Sequence, residues 1–86
     1  MVDITDIVWT EDFVSEVKKV KGGLIKERIK KQIRKIVDNP EAGKPLRFNL
    51  KGERTIYIKP YRLIYAVIGS RIYLLKFEHR KEVYGD

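Results

Sequence analysis

The sequence predicts an α+β domain in which an N-terminal strand and a helical hairpin pack on a mainly antiparallel four-stranded sheet. Three observations lead there. Apolar residues recur at helical spacing between Phe13 and Val37, the period turns extended after Gly43, and two β-rich runs flank Gly69-Ser70. Helices that precede the strands, instead of alternating with them, gather on one face of an antiparallel sheet.

Each element has a local reason. Ile4 to Trp9 reads as a short strand ended by Thr10, which is suited to cap a helix whose first turn holds Glu11 and Asp12. Phe13, Val14, Val17 and Val20 form its apolar stripe, and Gly22-Gly23 breaks it. A second helix carries Ile25, Ile29, Ile33, Ile36 and Val37 on one face. Asp38-Asn39-Pro40 ends it, because the residue before a proline disfavours the helical conformation. Pro45 to Leu50 alternates weakly, and Lys51-Gly52-Glu53 has turn chemistry. Arg54–Ile58, Tyr61–Ile68 and Arg71–Glu78 are strands, separated by Lys59-Pro60 and by a Gly-first hairpin turn at Gly69-Ser70.

Composition narrows the function. The 86 residues suit one domain over 1–86, and a 43% hydrophobic share argues against a disordered chain. There is no apolar run long enough for a membrane helix and no apolar signal core at the acidic N-terminus, so a cytoplasmic location is expected. With no cysteine and one histidine, neither a disulfide framework nor a metal or other cofactor is expected. The net charge of +7 is unevenly placed. Residues 1–17 hold five of the twelve acids, and all 19 basic residues lie in 18–86. Such a field attracts a polyanion. Solubility and surface ion pairs are the plainer reading of the same charge.

Unusual residues concentrate in the last third. Arg62 interrupts the apolar strand Tyr61-Arg62-Leu63-Ile64-Tyr65, and a guanidinium there needs an acid, a groove or solvent. Pairing through Gly69-Ser70 sets residues 61–62 opposite 77–78, and so brings Arg62 toward His79 and Arg80. Arginines, an imidazole, carboxylates and the Tyr84 phenol at one sheet end suit RNA cleavage by the 2′-OH. That reaction needs proton transfer at two oxygens and cations on the phosphorane. Arginine matches phosphate oxygens with its planar fork, and tyrosine stacks on bases. The structural alternative is an Arg62–Glu78 pair, with His79 and Tyr84 capping the sheet.

The ordered series Asn39-Pro40, Gly43-Lys44-Pro45-Leu46, Leu50-Lys51-Gly52, Tyr61-Arg62-Leu63-Ile64-Tyr65 and His79-Arg80-Lys81-Glu82-Val83-Tyr84 resembles the RelE/ParE toxin superfamily. The resemblance implies a toxin silenced by a small antitoxin that wraps it. For the RelE-like branch it implies a metal-independent endoribonuclease that cuts mRNA in the ribosomal A site. Arg62 then matches the arginine that binds the scissile phosphate, Arg80 the one that stabilises the transition state, and Tyr84 the terminal tyrosine facing the nucleotide. Thr55 and Tyr57 stand where RelE-like members place basic residues, which leaves His79, Glu78 or Glu82 as the candidate proton acceptor. Lys26, Lys30, Lys31, Arg34, Lys35, Lys44, Lys51 and Arg54 are the expected contacts to ribosomal RNA, with a solvated face as the alternative for the helical ones. Phe48 and Leu50 are expected in the core, or as a seat for an antitoxin helix. A gyrase inhibitor of ParE type and a non-catalytic binding module are the other functions this scaffold implies.

Overall fold

Thr10 makes the first corner of the chain. It follows strand β1 (Asp6–Trp9) and caps helix α1 (Glu11–Lys19), its hydroxyl accepting the Phe13 N–H at 3.3 Å. The same hydroxyl donates to the Leu74 carbonyl at 2.6 Å, tying the corner to the last strand. Glu11 and Asp12 occupy the first turn of α1 and Lys18 and Lys19 the last, the arrangement the helix dipole favours. The computed structural model describes residues 3–45 and 52–79.

Helix α2 (Gly23–Asp38) starts after Gly22, whose φ of 108° is one that side chains other than glycine rarely adopt. Ile29, Ile33 and Ile36 are buried, and Ile25 and Val37 pack partly against the core, as their spacing requires. The helix ends at Asn39, whose N–H reaches the Lys35 carbonyl at 2.8 Å. Arg28 donates to the Lys59 carbonyl at 3.0 Å, joining the helix to a sheet turn.

The remaining strands are β2 (Lys44–Pro45), β3 (Glu53–Ile58), β4 (Tyr61–Ile68) and β5 (Arg71–His79). The sheet has five strands in the order β1-β5-β4-β3-β2, and β1 runs parallel to β5. This corrects the expected four-stranded sheet with the first strand packed on it. The two helices carry the chain from β1 at one edge of the sheet to β2 at the other, and the last strand returns to lie between β1 and β4. Of the weak run from Pro45 to Leu50, only Pro45 lies within the described residues.

Both helices cover one face, α1 over β5 and α2 over β3. Phe13, Ile36, Ile58, Leu63, Tyr65, Ile72, Leu74 and Phe77 are almost wholly buried there. Burial of each such side chain contributes roughly 1.5–3 kcal/mol. The inward residues of β5 change phase, from Ile72 and Leu74 to Phe77. A β-bulge accounts for this: Tyr65 faces Leu74, Ile64 faces Lys76, and Leu75 is the extra residue between them.

Tyr65 carries the polar anchor of this core. Its hydroxyl donates to the Pro40 carbonyl at 2.8 Å and accepts the Gly43 N–H at 2.9 Å, holding the chain between α2 and β2. Burial raises the Tyr65 pKa, and the Gly43 hydrogen bond and the Arg54 charge offset it only partly.

Candidate functional site on the open sheet face

Strand register places Tyr57, Arg62 and Glu78 in one row across β3, β4 and β5, on the face the helices leave uncovered. Arg62 Nε donates to Glu78 Oε2 at 3.1 Å, and both side chains are largely shielded, at 15% and 26% exposure. A guanidinium this shielded needs a partner, and the carboxylate supplies it. Tyr57 is 40% exposed directly opposite Arg62.

A groove of about 450 Å³ opens beside Arg62 and Glu78. Arg62, Lys76, Glu78, Glu53 and Asp12 give it two cations and three carboxylates, and Ile64 and Leu75 give it apolar surface. No sequence feature assigns a place in this groove to Lys76, Glu53 or Asp12. Their shared face follows from register across three strands and from the α1 corner, and no local motif signals it.

Of the expected cluster, Arg62, Glu78 and His79 lie among the described residues. Arg62 lies opposite Glu78 in the strand register and donates to it. His79 pairs with Tyr61, and the two rings meet edge to face at 5.3 Å, while Tyr61 stacks on Phe77 at 4.8 Å. His79 therefore stands at the same sheet end as Arg62 but on the helix-covered side, because neighbouring strand residues point to opposite faces. Arg80, Glu82 and Tyr84 lie outside the described residues, as do Lys51, Phe48 and Leu50.

The expected RNA-binding cations also divide. Lys26, Lys30, Lys31, Arg34 and Lys35 are all exposed along α2, with Lys30 near Glu27 at 3.7 Å. Lys44 is exposed on the edge strand β2. Arg54 has a structural role in the fold. Its guanidinium donates to the Gly43 carbonyl at 2.7 Å and to that of Glu41 at 3.3 Å, and so braces the loop before β2. Thr55 is buried, and its hydroxyl has no hydrogen-bond partner among the described residues. Among those residues, no group of His, Asp or Glu is placed to hold a metal, and no helix is long and apolar enough to cross a membrane.

The family model for the ParE toxin of type II toxin–antitoxin systems matches residues 7–84. The chain belongs to the RelE/ParE toxin superfamily. Solved RelE toxins share the fold of this family member. The isolated E. coli RelE toxin is 28% identical, with 92% of this chain and 89% of that one covered and a TM-score of 0.73. The toxin in the intact E. coli RelBE complex is 25% identical over 85% of this chain and 93% of its own, with a TM-score of 0.73. The RelB–RelE complex of Methanococcus jannaschii matches in fold, at 24% identity, coverage of 91% and 95%, and a TM-score of 0.73. No curated protein matches the sequence at a significant level. This RelE/ParE chain thus combines a ParE family model with RelE structural neighbours.

Proposed function

We propose that this toxin is a ribosome-dependent mRNA endonuclease that cleaves in the A site by 2′-OH attack, and that a cognate antitoxin silences it. The observation that carries the reading is Arg62, held in a groove on the open sheet face with an aromatic side chain beside it. Arg62 binds the scissile phosphate, and Arg80 neutralises charge as the phosphorane forms. Tyr84 faces the base. The exposed lysines and arginine of α2 lie along ribosomal RNA and position the toxin without reading sequence. The site of action is the cytoplasm, where translating ribosomes are.

The test is primer extension on a defined mRNA in a reconstituted translation reaction, with wild type and Arg80→Ala. The reading requires ribosome-dependent cuts inside A-site codons that disappear in the variant.

The match to a ParE family model supports keeping a second reading, the ParE-like inhibitor of DNA gyrase that the sequence resemblance also implies. A folded wild-type protein that makes no cuts but blocks supercoiling by purified gyrase supports that reading instead.

A further inference from the structure

We infer that Glu78 is the proton acceptor for the attacking 2′-hydroxyl, a role that rests on the endonuclease reading. Transesterification makes a bond from the 2′-oxygen to phosphorus and breaks the bond from phosphorus to the 5′-oxygen. The proton acceptor must therefore stand beside the cation that holds the same phosphate. Glu78 does so: its Oε2 is 3.1 Å from Arg62 Nε, and the two side chains line the same groove. The proton of the 2′-hydroxyl passes to this carboxylate. The 5′-oxygen leaves with the electron pair of its bond to phosphorus and takes a proton from water, and Glu78 then returns its proton to solvent.

His79, Thr55, Tyr57 and Glu53 are worse placed. His79 belongs to the opposite face with Tyr61 and Phe77. Thr55 and Tyr57, the two β3 positions where a basic residue is expected, bring no amine or imidazole. Glu53 also lines the groove, but it lies four residues along β3 from Tyr57, about 13 Å from the Arg62 row at the rise of a strand.

The test is single-turnover cleavage on mRNA-programmed ribosomes across pH, with wild type, Glu78→Gln and Glu78→Asp, and with melting temperature recorded for each. Gln keeps an acceptor for Arg62 but is not a base. Glu78→Gln is expected to melt near wild type, to cut about 10²-fold slower or worse, and to lose the fall in rate on acidification. Glu78→Asp is expected to recover part of the rate and the acid limb. A folded Glu78→Gln that cuts at the wild-type rate, or more slowly with an unchanged pH profile, overturns the assignment and leaves the endonuclease reading standing. A folded wild-type protein that cuts no mRNA overturns both.

Discussion

Gly43 and Tyr65 meet so closely that no side chain fits between them. A Cβ on Gly43 would stand 2.8 Å from the Tyr65 hydroxyl and 2.9 Å from the Thr55 carbonyl oxygen, and Gly43, Tyr65 and Thr55 are all buried. Gly43→Ala is therefore expected to destabilise the fold by about 1–3 kcal/mol, as overpacking does. Urea denaturation measures this, and an unchanged midpoint would mean that the loop yields freely.

Tyr65 has a further consequence at alkaline pH. Its folded-state pKa is raised, so the folded protein holds the phenolic proton more tightly than the unfolded chain does. The stability from this group is fully present below about pH 10, the ordinary tyrosine value, and is lost as pH climbs through the raised one. Tyr65→Phe is expected to lower stability at neutral pH by about 1–3 kcal/mol, because it strands the Gly43 N–H and the Pro40 carbonyl. It should also flatten the alkaline fall in melting temperature. A variant with the same alkaline slope as wild type would place that slope elsewhere.

Thr10 serves the α1 cap and the β5 backbone with one hydroxyl. Thr10→Ala is expected to lose about 1–2 kcal/mol, and Thr10→Ser most of a kilocalorie less than that. Equal losses in the two variants would point to the methyl group instead of the hydroxyl.

Arg62→Ala separates chemistry from support. On the endonuclease reading it slows cleavage by roughly 10²-fold or more, the usual effect of losing one transition-state donor. It also leaves Glu78 without its partner, so its melting temperature should fall below that of Glu78→Gln. Cleavage at the wild-type rate by folded Arg62→Ala would remove this arginine from the mechanism.

The basic face of α2 predicts a salt effect. Replacing Lys30, Lys31 and Arg34 by Gln should weaken ribosome binding and lower the salt slope by roughly one for each phosphate no longer neutralised. These side chains are exposed, so thermal stability should hardly change. Binding to ribosomes with an unaltered salt slope would assign the face to solvation.

Much of the fold was legible where the cause is local. The isoleucine spacing of α2, the Thr10 cap and the hairpin at Gly69 each depend on a few neighbouring residues. The parallel pairing of β1 with β5 was not, since it joins positions 65 residues apart, such as Asp6 and Arg71. At the site, the hairpin count set Arg62 opposite residues 77–78, and the bulge at Leu75 fixes the partner as Glu78. The separation of His79 from Arg62 was missed because both lie at the same strand end, and only their parity divides them. The structural use of Arg54 was equally hidden, since its acceptors are carbonyl groups that every residue carries.

The extra residue at Leu75 makes the chemistry of the groove depend on counting. Upstream of it even-numbered residues point inward, and downstream odd-numbered ones do. If β5 kept Leu75 but ran straight from the hairpin, Glu78 would exchange sides with His79, and the groove would offer an imidazole where it now offers a carboxylate. A groove of this kind can change the titratable group it presents by a slip of one position in a strand, with no substitution at all. Phe77 opposes that slip, because it would have to leave the core for water. A buried phenylalanine thereby decides which titratable group faces the groove.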